Sequence, residues 1–398
     1  LVGGAGGIRL LTQQDGHWAA AVPLVPQGRG LGVADTDHDG DVDLIAALPG
    51  GLTILANDGQ GHVVAGGTVL APAAGQQLDA VRGADLDNDR DTDLVALLAG
   101  RLEVFANNRD GTFSPVTAAL GAAGAGIWAD LAVEDVDRDG SMDLLLLGGD
   151  GRLQELRNQR GRALAPQPPV QLPAGTYNSL RLVDLDLDGD LDAVAAGPAG
   201  LRLAWRRHGR LEPLPEAALP DGIPGGVLAT DWDGDGTPDL LAGGRLLPNR
   251  TPAGHWLRVA VQGLGSNGSG LGAKVEVKTT WSLQKREVAH TAPLLFGIGA
   301  ADSVEFVRVL WPSGVRQTEL AMPADTTLLV TEVDRKGTSC PVVYAWDGQR
   351  YRFVSDINGG AIVGYLLGPG QYNTPDTDEY LPLGPLAPRD GYYEIQFG

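Results

Sequence analysis

Cysteine is nearly absent from this chain of 398 residues. The single Cys340 excludes an internal disulfide and any multi-cysteine metal site. Its favoured reading is a free buried thiol, with pairing to a segment outside the sequence as the alternative. Histidine is scarce too, at six residues, and His17, His62, His208 and His255 fall near turns or strand starts in separate segments. That scatter excludes a histidine metal cluster and reads as solvated or hydrogen-bonded rings. Positive charge is in deficit: 30 Lys and Arg stand against 50 Asp and Glu, for a net charge of −20 and a pI near 4.6. Nucleic acid and anionic membrane are thereby excluded as partners. No apolar run reaches the length of a membrane-spanning helix. There is no G-x-S-x-G elbow, no H-E-x-x-H and no phosphate-cradling loop. The Gly-rich run at 263–270 lacks the flanking strand and helix of a nucleotide site, so no catalytic residues and no organic cofactor are expected.

What is abundant is glycine, at 58 residues, and aspartate in a fixed pattern. A stretch of ten residues occurs five times: DTDHDGDVDL from Asp35, DLDNDRDTDL from Asp85, DVDRDGSMDL from Asp135, DLDLDGDLDA from Asp184 and DWDGDGTPDL from Asp231. Successive starts lie 50, 50, 49 and 47 residues apart, the mark of a repeat architecture.

The chemistry of this decapeptide is cation binding. Carboxylates at positions 1, 3 and 5 turn inward when the backbone curls, and a glycine at position 6 permits the sharp turn. Position 7 offers a backbone carbonyl, and the Asp at position 9 closes the shell. A hard, all-oxygen site of six or seven ligands at about 2.4 Å suits calcium better than magnesium. The candidate metal residues are therefore Asp35, Asp37, Asp39, Asp41 and Asp43 in the first loop, and Asp85, Asp87, Asp89, Asp91 and Asp93 in the second. The third offers Asp135, Asp137, Asp139, Ser141 and Asp143, and the fourth Asp184, Asp186, Asp188, Asp190 and Asp192. The fifth offers Asp231, Asp233, Asp235, Thr237 and Asp239. Up to five structural calcium ions are expected. The second site ranks weakest, because Arg90 stands where glycine is wanted. One copy alone would read equally well as a solvated acidic turn; five copies in register argue for ligands. Five bound calcium ions would bring the charge from −20 to −10, so the acidity speaks of held cations before it speaks of a basic partner.

Each repeat reads as four strands. The first enters the loop, as in Leu131-Ala-Val-Glu-Asp135. The second leaves it as a continuous apolar run such as Asp143-Leu-Leu-Leu-Leu, buried on both faces. The third alternates (Leu102-Glu-Val-Phe), and a loose fourth follows (Thr112-Phe-Ser-Pro-Val). Residues 1–25 supply half of another unit, with Ile8-Arg-Leu-Leu as a third strand and Trp18-Ala-Ala-Ala-Val as a fourth. Four antiparallel strands per period describe an all-β propeller with six blades visible in whole or part. Seven are expected in the intact ring, and the mid-pattern start at Leu1 places the natural N-terminus upstream.

These loops resemble the FG-GAP/VCBS repeat family, over residues 1–250. After Asn249 the period stops. Gly254-His-Trp-Leu-Arg-Val, Gly270-Leu-Gly-Ala-Lys-Val and Val304-Glu-Phe-Val-Arg-Val-Leu-Trp-Pro-Ser-Gly314 resemble the ASPIC/UnbV domain. The resemblance, found in bacterial cartilage-acidic-protein-like proteins, implies architecture more than chemistry. The expected division is a propeller at 1–250, an ASPIC/UnbV-like β domain at 251–336 and an incomplete β-rich module at 337–398. In the last, a hairpin turns at Asp347-Gly348. Asp376, Asp378 and Glu379 read as a solvated acidic loop sooner than as a cation site. A terminal strand, Tyr392-Tyr-Glu-Ile-Gln-Phe, shows no partner in the sequence.

The functional expectation is an exported, calcium-stabilised, non-enzymatic binding or scaffold protein for a protein or glycan partner. Extracellular or periplasmic placement follows from the millimolar calcium needed to fill weak loops. One alternative is an accessory subunit of a periplasmic or cell-surface enzyme assembly. Another is a lectin using Trp128, Trp205 or Trp232, residues that at such positions more often pack between blades.

Overall fold

The computed structural model describes residues 78–108, 112–121, 126–214, 226–251 and 254–333 throughout, and residues 29–37, 39–48, 51–59 and 62–70 before them. It also describes short segments at either end, 2–4, 7–10, 13–14, 17–18, 22–25, 342–348, 351–356, 366–368, 371–372, 383–384, 386–389 and 391–397. His38, Cys340 and the acidic residues at 376–379 lie outside the described residues. All regular elements among them are strands.

Each decapeptide joins the first two strands of an antiparallel sheet, and five such sheets follow one another. The third blade shows the plan: Trp128–Glu134, Asp143–Gly148, Arg152–Asn158 and Leu164–Pro166 pair in order, with Val170–Gln171 added beside the third strand. The first blade (29–70), second (78–115) and fourth (179–213) carry four strands each, and the fifth has three described strands, Val227–Thr230, Asp239–Ala242 and Arg245–Leu247. The innermost strands of successive blades touch, from Arg29–Ala34 through to Val227–Thr230.

The continuous apolar run is explained by its neighbours. Leu144 and Leu146 pack against Val95 and Leu97 of the second blade, while Leu145 and Leu147 pack against Ala193 and Ala195 of the fourth. Alternate side chains of one strand thus serve two inter-blade cores, and no position is left for a polar residue. The same division sends Val194 and Ala196 to the fifth blade, with Val227 and Leu240.

Around residues 1–25 the chain differs from expectation in detail. Gly7–Leu10 is the anticipated strand, but it pairs with Val2–Gly4 on one side and Val22–Val25 on the other. Trp18 instead belongs to a short ladder with Gln13–Gln14. Ile8 joins Leu44, Ala46 and Leu55 in a shared core, so this partial sheet flanks the first blade.

Beyond the fifth blade two sheets pack face to face. One is ordered Leu294–Gly299, His255–Gln262, Thr326–Thr331, the last pair parallel; the other runs Leu283–Glu287, Lys274–Lys278, Ser303–Leu310, Arg316–Pro323. Their inner faces close over Leu257, Val275, Phe296, Val307 and Trp311. A clasp fastens the edge: the Glu332 carboxylate accepts from the N–H groups of Leu264, Gly265 and Ser266 and from the hydroxyls of Ser266 and Ser313. These donors hold its pKa below the usual range even though burial acts the other way. Farther on, Val342–Trp346 pairs with Tyr351–Asp356 as the hairpin expected, and its other edge takes Ile395–Phe397. The terminal strand therefore does find a partner.

Candidate metal loops and the face they share

Backbone geometry at the loops follows one rule. Position 6 lies in the left-handed region in every loop: φ is 89° at Gly40, 89° at Gly140, 92° at Gly189, 96° at Gly236 and 80° at Arg90. Arg90 thus adopts the glycine conformation, at a cost of about 1–2 kcal/mol. Position 4 is left-handed as well, at Asn88, Arg138, Leu187 and Gly234.

The curl is held by the carboxylates themselves. The N–H of position 6 donates to Oδ2 of position 1 in all five loops, at 2.7 Å for Arg90 to Asp85 and 2.8–3.2 Å for the glycines. The N–H of position 7 (Asp41, Asp91, Ser141, Asp190 or Thr237) donates to Oδ1 of position 5 (Asp39, Asp89, Asp139, Asp188 or Asp235) at 2.8–2.9 Å. Position 9 accepts on both of its oxygens. Oδ2 of Asp43, Asp93, Asp143, Asp192 and Asp239 accepts the N–H of position 2, and Oδ1 accepts an N–H at the end of the third strand, from Asn57, Asn107, Asn158, Arg206 and Asn249. Each of these buried acids pins a loop to its own sheet.

Carboxylate oxygens that could hold an ion converge accordingly. In the second to fifth loops they come from positions 1, 3 and 9: Asp85, Asp87 and Asp93; Asp135, Asp137 and Asp143; Asp184, Asp186 and Asp192; Asp231, Asp233 and Asp239. In the first loop they come from Asp35, Asp37 and Asp39. Within each trio the atoms lie within 4.8 Å of one another. Crowded, buried carboxylates are costly as anions. Burial, with neighbouring carboxylates adding to it, pushes Asp135, Asp143 and Asp184 up to about 7 and Asp93 and Asp192 up to about 8. In the fourth loop Asp184 Oδ1 and Asp186 Oδ1 are buried and have no hydrogen-bond partner, which leaves two oxygens aimed where a cation would sit. A donor set of oxygen only, with paired orphan carboxylate atoms, fits calcium. Not every acid serves that purpose: the Asp190 carboxylate instead takes Nη2 of Arg138 from the preceding loop at 2.6 Å.

Two further sets of residues organise this face, and the sequence reading missed both. The first is the side chain closing each third strand. Asn107 Nδ2 donates to the carbonyl of Thr36 in the preceding loop, Asn158 Nδ2 to Leu86 and Asn249 Nδ2 to Leu185, stapling blade to blade. The recurrence of Asn 10 to 15 residues after position 9 was a usable signal. In the fourth blade Arg206 replaces it and reaches Glu155 of the third blade at 2.9 Å, fully buried.

The second set belongs to the two-sheet region, which sits directly on the loops. Its Gly254 N–H donates to the Asp186 carbonyl at 3.0 Å and its Gly299 N–H to the Leu187 carbonyl at 2.8 Å. A side chain at Gly297 would overlap the Asp184 carboxylate. Arg258 pairs with Asp231 Oδ2, Lys274 with Asp85 Oδ2, and the Asp85 N–H donates to Glu287. Sequence separations of up to 202 residues gave no local sign of these pairs.

The expected inter-blade packing of tryptophan holds for Trp128, buried in the core of the second and third blades, but not for Trp232. Position 2 is buried in the other loops, at 5% exposure for Thr36 and 3% for Leu86, whereas Trp232 of the fifth blade is 67% exposed.

Fold and loops together define a class: a β-propeller whose blades carry acidic metal-type loops, with a β-sandwich seated on the loop face. The chain belongs to the FG-GAP-like repeat family, whose model matches residues 35–96, 85–146, 135–195 and 184–242, and the model described as ASPIC and UnbV matches 263–337. No match was found among curated proteins. Among solved structures, the chain is similar to an Agrocybe aegerita lectin specific for non-reducing terminal N-acetylglucosamine, at 19% identity and a TM-score of 0.42, covering 61% of this chain and 73% of that one. It is also similar to a Burkholderia pseudomallei lectin, at 15% identity and a TM-score of 0.44, covering 81% of this chain and 93% of that one. At these scores nothing about their ligands carries over. No helix among the described residues is long and apolar enough to cross a membrane.

Proposed function

We propose that this chain is an exported, calcium-stabilised, non-enzymatic binding scaffold that engages a protein or glycan partner. Its modules are a propeller at 1–250, the ASPIC/UnbV region at 251–336 and a β-rich module at 337–398. The observation that carries the reading is the repetition of one carboxylate cage on five neighbouring loops, two of whose oxygens, Asp184 Oδ1 and Asp186 Oδ1, lack any donor. Bound calcium would supply the positive charge that lets these buried acids stay ionised together. The ligand residues proposed are those at positions 1, 3, 5 and 9 with the position-7 carbonyl. Because the unfolded chain lacks the cage, ion binding becomes folding free energy. Export follows from the affinity class: loops of this kind fill where calcium is millimolar.

Partner recognition is tested by purification from the native source in calcium, with mass spectrometry of stoichiometric companions, and by a glycan array. A stoichiometric protein makes this a scaffold subunit, and if that protein is an enzyme the accessory-subunit reading stands. Retention on the array with release by free sugar makes it a lectin, with exposed Trp232 the first residue to replace. Turnover of a substrate by the purified chain would overturn the non-enzymatic reading.

A further inference from the structure

We infer that the second loop is a lock that holds the ASPIC/UnbV region on the propeller even without calcium, with Lys274 and Glu287 as its positioning residues. Three ionisable side chains from the two regions meet there out of water, with the half-buried Lys285 at their edge. Lys274 is 3% exposed, Asp85 2% and Glu287 9%. The Lys274 ammonium donates to Asp85 Oδ2 and, at 2.8 Å, to Asn88 Oδ1. Lys285 Nζ donates to the same Asn88 Oδ1 at 3.0 Å and to the Gly140 carbonyl of the third loop at 2.7 Å. Glu287 accepts the Asp85 N–H at 3.1 and 3.3 Å. Burial raises the Glu287 carboxyl, with Lys274 drawing it back, and burial lowers the Lys285 amine, with Lys274 adding to the fall.

Two amines thus face two acids, one acid from each region. The outer oxygen of Asp85 is satisfied by Lys274 and by the Arg90 N–H, so this carboxylate needs no ion to be tolerated in the interior. The substitutions that set this loop apart fit the role. Asn88, in the left-handed conformation at position 4, turns its amide oxygen to both lysines; at the same position the third loop has Arg138, the fourth Leu187 and the fifth Gly234. The lysines come from adjacent strands, Lys274–Lys278 and Leu283–Glu287, which places both amines on one rigid ladder facing the loop.

The consequence is separable from calcium stabilisation itself. Removing the ion should lower the melting temperature of the whole chain, yet leave propeller and ASPIC/UnbV region unfolding together. Taking away Lys274 leaves Asp85 buried without its counter-charge, and docking then depends on the ion.

Calorimetry of the full chain in calcium and in excess chelator tests this, with hydrogen exchange read at 274–278 and 283–287. The unaltered chain should show one transition in both buffers, at lower temperature in chelator. Lys274→Met should show one transition in calcium and two in chelator, with faster exchange at 274–278. A native chain that splits into two transitions on chelation overturns the lock. So does a Lys274→Met chain indistinguishable from it in chelator. If Lys274→Met does not fold, Glu287→Gln decides: accelerated exchange at 274–278 in chelator is expected, and unchanged protection there contradicts the inference. A chain whose melting ignores chelator altogether would sink structural calcium while leaving the lock to be judged by Lys274→Met alone.

Discussion

The second and fifth loops carry nearly the same set of carboxylates yet live in opposite surroundings. Both have the outer oxygen of the position-1 acid held by a cation from the ASPIC/UnbV region, Lys274 on Asp85 and Arg258 on Asp231. At the second loop both side chains are 3% exposed. At the fifth, Arg258 is 21% exposed and stacks over Trp256 with 4.3 Å to the ring centroid. Position 2 repeats the contrast, with Leu86 inside a core and Trp232 in solvent. Similar sequences therefore give interactions of different weight, because desolvation decides what an ion pair or an apolar side chain contributes.

Removing the cation should expose that difference most. In chelator near neutral pH, Lys274→Met should lower the stability of the ASPIC/UnbV region, read from its own denaturant transition, by about 3–5 kcal/mol, since a buried partner is orphaned. Arg258→Met should lose about 1.5–3 kcal/mol, the range for a hydrogen bond to a charged group with water still at hand. Equal losses would break the contrast. Next comes position 2. Leu86→Ala should cost about 2–5 kcal/mol by leaving a cavity, and Trp232→Ala should stay within about 0.5 kcal/mol. A large loss at Trp232 would mean that its flank is covered in solution.

The pH dependence offers a separate contrast. Asp93 of the second loop has its folded pKa raised from 3.8 to about 8, and Asp192 likewise. Between those values the calcium-free folded state holds protons that the unfolded chain has released. This stability is full below about pH 4 and is lost as pH rises through about 8. In the fifth loop Asp235 runs the other way: the Thr237 hydroxyl holds it low, so any contribution is lost as pH falls. Melting temperature in chelator should therefore decline from about pH 5 to about pH 8.5, and in saturating calcium the decline should vanish. A flat profile in chelator would show that the raised acids do not govern stability.

Much of this fold was legible because it repeats. A run such as Asp143-Leu-Leu-Leu-Leu has one physical solution, a strand covered on both faces, and the blades supply it. The curl of the loops was legible because the spacing of the acids fixes it; even Arg90 obeys it, adopting the glycine φ. Illegible parts share a cause, dependence on residues far away in the chain. Leu187 gives no hint that position 4 is left-handed, since its φ of 57° is imposed by the loop and by the Gly299 N–H that its carbonyl accepts. Lys274 reads as one more residue of an amphipathic strand until the loop 189 residues earlier is folded against it. The repeat pattern puts the fourth strand of the N-terminal unit at Trp18–Val22, whereas the ladder uses Val22–Val25. The terminal strand shows no partner in the sequence because its mate lies some 50 residues earlier, at Val343–Ala345.

The most direct test of the loops as structural calcium sites is calcium titration of the chelated chain by calorimetry, followed by melting at each ratio. The expected result is binding of several ions, up to five per chain, with melting temperature rising in step and the fourth loop, where Asp184 and Asp186 present orphan oxygens, among those filled. An unchanged melt in excess chelator, with no heat on adding calcium, would contradict it.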